Sequence, residues 1–413
     1  MALSKRVLVL LAGLTFPAAA SAQTITTLVE TGTVLTGIGT VINVNGFAVD
    51  DSGHVLVVVR TDNPNPLALD ALLDEQGNVI AYAGQALAQP SGAAIRSFNG
   101  GDMTMSSQGS STFSLWLAGT TGLDDDGGIY LGTSMNLLVQ ESNVSTAPQL
   151  PAGTIFRSIL YPKINDSGLI CSHMAVDDPT IPGMYDTPAL FVFDTVAGTQ
   201  SVVAKRGDIL PGQTWGISDF GWNRHQLAFN NAGHVMYIVG TYDNPNISAN
   251  IYLDYTKIAQ KSDVSPFGSA YIQFLSVSLN SQSNYLIGCR TNDPNGEYGI
   301  VSNGAGFVQF GDSLPDIEPF QLNYIGTPLF LGDDGRIAWG GTWNSPAGPQ
   351  GTGIFVDYTL LVSVGATTIH GSTVQDLTML DGSFTLSPSG QYLVFQATLT
   401  GGVIGAYMID LWQ

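Results

Sequence analysis

Short apolar runs alternate along this chain with clusters of Asn, Asp, Ser, Gly and Pro. The pattern is clearest over residues 230–263: a tight turn (NNAG), an apolar run, an Asp/Asn/Pro loop, a second run, a short turn and a third run. Runs such as HVLVVVR from His54, TFSLWLA from Thr112 and QYLVFQAT from Gln391 are apolar at successive positions. That is expected of a strand covered on both faces, and no stretch sustains the spacing of an amphipathic helix. The chain therefore reads as all-β.

Two landmarks set the register. The first is a turn preceding an apolar run, met as Asp50-Asp51-Ser52-Gly53, Ser106-Ser107-Gln108-Gly109, Asn165-Asp166-Ser167-Gly168 and Asn230-Asn231-Ala232-Gly233. It returns as Asn280-Ser281-Gln282-Ser283, Gly332-Asp333-Asp334-Gly335 and Ser387-Pro388-Ser389-Gly390. Asn, Asp and Ser bond the backbone ahead of them and Gly accepts a left-handed conformation, so each turn should join two antiparallel strands. Ser283 departs from the pattern. The second landmark follows the third run, as Gly207-Asp208-Ile209-Leu210-Pro211-Gly212 and Gly311-Asp312-Ser313-Leu314-Pro315, with weaker copies from Gly32, Gly84, Ser142, Ser262 and Gly365.

Each unit reads as four strands, a to d; in the fourth these are residues 226–229, 234–241, 250–254 and 257–261. Seven four-stranded antiparallel units predict a seven-bladed β-propeller. An open solenoid is the alternative, but solenoid repeats are usually shorter and need polar caps. The last unit supplies strands a, b and c only, and residues 25–30 read as its missing d strand, pairing with residues 405–411 to close the ring. A chain of 413 residues would ordinarily suggest two or three domains; the repeat predicts one, over residues 23–413.

Residues 1–22 read as a signal peptide. Lys5 and Arg6 precede an apolar run too short to span a bilayer, and Ala20-Ser21-Ala22 matches a cleavage site. The sequence shows no transmembrane segment, so the expected setting is secreted or periplasmic. A formal charge of −20 disfavours nucleic acid and anionic membranes as partners. It leaves cations, basic proteins and neutral glycans, and by itself it also keeps an exported protein soluble. The two cysteines, Cys171 and Cys289, fall in b strands of non-adjacent blades, too far apart for a disulfide, and read as small buried hydrophobes.

The pattern Asn-x-x-Gly-x-x-Ala-Phe, followed by Gly-Ile-Tyr and Gly-Asp-x-x-Pro-Gly, resembles tandem-repeat families of exported bacterial proteins. Asn165–Ile170, Asn230–Met236, Gly128–Tyr130 and Gly207–Gly212 carry the resemblance. It implies a propeller in a surface or envelope setting and brings no catalytic motif.

Candidate chemistry falls on the face holding the b–c loops and the d–a connections. Asp62, Asp124, Asp125, Asp126, Asp177, Asp178, Asp243 and Asp293 lie in five of these loops. Such oxygens suit Ca²⁺ or a basic partner, although turn-forming Asx residues account for the same pattern. No other cofactor is indicated. The longest unit adds Trp215, Asp219, Trp222, Arg224 and His225, a set suited to stacking and bonding a sugar; packing between blades is the plainer role. Arg206-Gly207-Asp208 spells an adhesion tripeptide but sits on the second landmark. The resulting reading is a binding or scaffolding module for a protein or glycan at or outside the cell envelope. The alternatives are a carbohydrate-active hydrolase or lyase using the b–c/d–a face, and a structural surface-layer or matrix subunit.

Overall fold

The structure, a computed structural model, describes residues 24–120, 126–180, 186–221, 223–242, 247–294, 297–344, 351–378 and 383–413. It is a ring of seven antiparallel sheets. In blade 1 strands a to d are Gly39–Val49, Val55–Thr61, Asp70–Leu73 and Val79–Tyr82. In blade 3 they are Ile155–Ile164, Leu169–Asp177, Thr187–Asp194 and Thr199–Lys205. Among the described residues no helix is long and apolar enough to cross a membrane.

The unbroken apolar runs have a simple cause. Side chains of a strand alternate between its two faces, and each face of a blade packs on a different neighbour. In strand b of blade 1, Val55, Val57 and Val59 join the core shared with blade 7, while Leu56 and Val58 join the core shared with blade 2. The same division holds round the ring, and the described residues form seven apolar clusters, one at each blade–blade junction.

Closure follows the expected route. Ile25–Glu30 is the outer strand of blade 7, pairing antiparallel with Ile404–Asp410 from Ile25 opposite Ile409 to Glu30 opposite Gly405. Val29 enters the core between blades 7 and 1. Tyr407 donates a hydrogen bond to Glu30 Oε1 (2.9 Å), and Thr27 Oγ1 lies 2.6 Å from His370 Nε2.

Both landmarks are left-handed corners. The fifth hairpin turn keeps the conformation without glycine, Ser283 having a φ of 64°. In the second landmark the corner residue is glycine in five copies and Ser142 (φ 65°) and Ser262 (φ 78°) in the others. An L-residue there carries a steric cost that glycine avoids. Ser262→Gly is therefore expected to raise stability by about 0.5–1 kcal/mol; an unchanged or lower urea midpoint would show that the corner is not strained.

Candidate functional site: the turn-face mouth of the central channel

Strand a of each blade lines the central channel, so the a–b hairpin turns ring one of its mouths. In six of the seven turns the side chain of the first residue caps its own hairpin; in the sixth, which begins with Gly332, Asp334 Oδ1 accepts from Arg336 N instead. Asn165 Oδ1 accepts from the amides of Ser167 and Leu169, and Asn280 Oδ1 from those of Gln282 and Asn284. Asp50 Oδ1 does the same for Ser52 and His54, and its Oδ2 lies 2.8 Å from His54 Nδ1, which raises the pKa of that imidazole.

The turns also bond one to the next. Asp51 N donates to Ser107 O, Ser107 Oγ to Asp166 Oδ2 (2.5 Å), and Asp166 N to Asn231 Oδ1. Asn165, Asn230 and Asn280 each send Nδ2 to the turn of the following blade, reaching the carbonyl oxygens of Asn230 (3.2 Å), Asn280 (2.9 Å) and Gly332 (3.2 Å). Asp333 N donates to Pro388 O, and Ser389 N donates to Asp51 Oδ1 (2.6 Å). The chain of bonds closes on itself around the mouth. These buried amides satisfy groups that would otherwise be costly to bury.

Below the mouth lies a cavity of about 190 Å³ to which all seven blades contribute. Its wall includes one ring of repeat-equivalent residues: Ala48, Thr104, Lys163, Ala228, Ser278, Phe330 and Thr385. Lys163 is the one charged member of that ring. Beneath it, blade 4 intrudes. Its strand a is split into Ile217–Phe220 and Leu227–Phe229, both paired with strand b (Val235–Tyr242). The 3₁₀ turn Arg224–Gln226 sits in the gap, started by Asn223, whose Oδ1 accepts from His225 N (2.9 Å). Arg224 and His225 line the cavity at 8% exposure each, with Arg224 Nε 3.3 Å from His225 Nε2. The His225 ring reaches past blade 5 to meet Phe330 of blade 6 edge-on, 6.4 Å between centroids.

The sequence assigned residues 226–229 to strand a and left Arg224 and His225 in the d–a connection. The structure instead places them in a break of the innermost strand, inside a cavity that opens among the hairpin turns. Asp219 lies in the first half of that strand, with Oδ1 accepting from the amide of Phe220 (2.8 Å), and is not part of the cavity wall. Trp215 precedes the strand and is 45% exposed; Trp222 lies outside the described residues. The cavity thus brings together Arg224 and His225 and adds Lys163 and Asp333. Neither is a candidate from sequence alone, although Lys163 sits at a repeat position where the other blades carry neutral residues; Asp333 shares its position with Asp51 and Asp166.

The loop carboxylates are held locally. Asp62 Oδ1 accepts from Thr40 N (2.6 Å), Asp126 pairs with Arg96 (3.3 Å) and Asp177 with Arg157 (3.0 Å). Asp178 Oδ1 accepts from the amide and hydroxyl of Thr180, and Asp293 Oδ2 from Ser269 Oγ. Asp124, Asp125 and Asp243 lie outside the described residues. Among the described residues no three His, Cys, Asp or Glu side chains gather as a metal site.

Residues 15–281, well over half of the chain, match the sequence profile of a family of unknown function (DUF7453). The chain belongs to that family. No curated protein matches it. Among solved structures it is similar to TolB from Acinetobacter baumannii (13% identity, TM-score 0.36, 86% of this chain and 77% of that one). An oligogalacturonate lyase in complex with manganese is another (10% identity, TM-score 0.46, 95% and 100%). A third is the β-propeller domain of the Trilobed protease from Pyrococcus furiosus (10% identity, TM-score 0.45, 89% and 93%). No function is carried over from likenesses this distant.

This DUF7453 propeller also buries titratable groups away from the channel. Cys171 and Cys289 are free and buried; burial pushes the Cys289 thiol up to about 12 and raises that of Cys171 further. Thiols held protonated in this way are poor nucleophiles. His173, 2% exposed in strand b of blade 3, meets Phe220 of blade 4 edge-on at 5.2 Å. Desolvation lowers its pKa from 6.5 to about 3.

Two outcomes follow for stability. Above pH 6.5 the imidazole of His173 is neutral in both folded and unfolded chains. As pH falls from 6.5 toward 3, the unfolded chain takes up a proton that the folded chain excludes, so stability drops by up to about 1.4 kcal/mol per pH unit. His173→Leu should lose less stability than the parent between pH 7.5 and 5 in urea unfolding; equal losses would contradict this. Asn230→Asp keeps the acceptor for His234 N but sets a carboxylate against Asn280 O. A cost of about 3 kcal/mol is expected at neutral pH; a cost below about 0.5 kcal/mol would mean that the inter-blade bond contributes little.

Proposed function

We propose that this chain is a binding module acting at or outside the cell envelope, and that the turn-face mouth of the central channel is its site. The supporting observation is the cavity itself: a wall of mixed apolar and polar surface contributed by all seven blades, a hydrogen-bonded rim, and Arg224 and His225 in its lining. A concave site in which polar groups converge beside apolar surface can orient a small molecule. The setting rests on the leader pattern of Lys5, Arg6 and Ala20-Ser21-Ala22.

A glycoside hydrolase of the usual kind would need a pair of carboxylates flanking the scissile bond. Among the described residues the cavity wall carries one carboxylate, Asp333, whose Oδ1 already accepts from Ser281 N (2.7 Å) in the inter-blade ring. Binding is the reading this geometry favours.

Thr385 lines the cavity in the strand Phe384–Leu386. Thr385→Trp should fill the cavity while leaving the rim bonds in place. In a thermal-shift screen of small polar metabolites, compounds that stabilise the parent should fail to stabilise this variant. Compounds that stabilise both equally would place the site elsewhere.

A further inference from the structure

Strand d, the outermost of each blade, bulges in every blade at one apolar residue that packs on the core shared with the next blade. That residue is Leu, Ile or Phe in six blades and the smaller Val203 in blade 3. Between blades 5 and 6 the bulge residue is Phe307. Tyr358, from the c–d turn of blade 6, donates to Phe307 O (3.3 Å) and the two rings stack at 4.7 Å. Between blades 3 and 4, Tyr255 holds the same post. It follows left-handed Asp254 as Tyr358 follows left-handed Asp357, and its hydroxyl donates to Val203 O (3.2 Å). Val203 has no ring to stack on it, and a groove of about 440 Å³ opens there.

The lining changes character as well. In blade 5 the ring of Phe267 lies over Gly306, next to Phe307. The equivalent residue of blade 3 is Ala147; the amides of both donate to a serine Oγ two residues earlier. Lys205 stands where blade 5 has Gln309, each backbone amide bonding the aspartate of the second landmark, Asp208 or Asp312 (2.9 Å each). Gln149, which also lines the groove, accepts from Val202 N (3.3 Å). Two aromatic fillers at one junction thus give way at the other to open space, with Tyr255, Val203 and Pro211 beside Gln149, Lys205 and Asp208.

An aromatic guest would gain nothing from those polar side chains. A pyranose ring has an apolar C–H face and an edge of hydroxyls, so it matches an exposed aromatic ring bordered by amide, ammonium and carboxylate groups. Lys205 Nζ lies 3.3 Å from Asp208 Oδ1, so the two charges offset each other and the lining favours neither sign. We infer that this groove is a subsite for a neutral hexopyranose, lying on Tyr255 as Phe307 lies on Tyr358, its hydroxyls toward Gln149, Lys205 and Asp208. The volume, about 440 Å³, falls within the roughly 300–1,000 Å³ usual for ligand sites. The groove is at the outer edge of the ring, apart from the channel, and the inference stands independently of the channel reading.

The test is ligand-observed NMR titration of the full chain with the methyl pyranosides of glucose, galactose and mannose. Glucuronate, glucosamine and p-cresol serve as anionic, cationic and aromatic comparisons. At least one neutral glycoside should bind saturably and more tightly than all three comparisons. Val203→Phe, which gives blade 3 the filler that blade 5 already carries, should weaken it by about tenfold or more, as should Tyr255→Ala, which removes the stacking face. Tyr255→Phe keeps that face and should stay within about threefold of the parent. Thr385→Trp, in the channel, should bind the glycoside as the parent does. Absence of binding by every neutral glycoside would overturn the inference, as would equal binding by the parent, Val203→Phe and Tyr255→Ala. Tighter binding of p-cresol would make the groove an aromatic site, and tighter binding of glucuronate or glucosamine would refute its neutrality. Loss of glycoside binding in Thr385→Trp alone would move the sugar to the channel.

Discussion

No blade of this protein can bury both of its apolar faces by itself. Each sheet is covered on two sides only because another blade stands on either side of it, and the last such pair exists only if the ring closes. That constraint accounts for the unbroken apolar runs, for the division of odd and even positions between two cores, and for the role of Ile25–Glu30. The outer strand of blade 7 comes from the start of the described chain, so the ends of the ring are held by a strand pair as well as by packing. Val29 supplies apolar cover at that seam, while Glu30 binds the hydroxyl of Tyr407.

The channel is a consequence of the same closure. Seven innermost strands leave an axial space, and what occupies it decides what the protein can do. At one mouth the hairpin turns serve twice, each capping its own strands and bonding the next turn. Below them, blade 4 interrupts its innermost strand and inserts Arg224 and His225 into the axis. The extra length of the fourth unit is used at the centre of the ring, where a change in one blade alters a cavity that all seven line.

What could be read from sequence was what is local. Hairpin turns and left-handed corners are fixed by a few neighbouring residues, so Asn165-Asp166-Ser167-Gly168 and its copies were legible, and counting them gave the blades. Links between blades were not. Asn230 reads as a turn-former because its Oδ1 acts within its own hairpin; its Nδ2 acts on residue 280, and nothing near it in the chain signals that. Blade 4 misled for a related reason. Ile217–Phe220 is short and flanked by Trp and Gly, so it resembles a loop, and missing it moved Arg224 and His225 to the opposite face. The acidic loops illustrate a different limit: Asp and Asn in turns are accounted for by local bonds such as those of Asp178 to Thr180.

The central claim is that closure by the first strand holds the whole ring, channel included. The most direct measurement is urea unfolding of a chain beginning at Thr31 beside one beginning at Gln23, with a synthetic peptide of residues 24–30 added in trans. If closure governs the ring, loss of the strand lowers the midpoint and broadens or divides a single transition, and the peptide restores it. An unchanged midpoint and slope for the shortened chain would contradict the account, because the blades would then be stable without the strand that joins the last to the first.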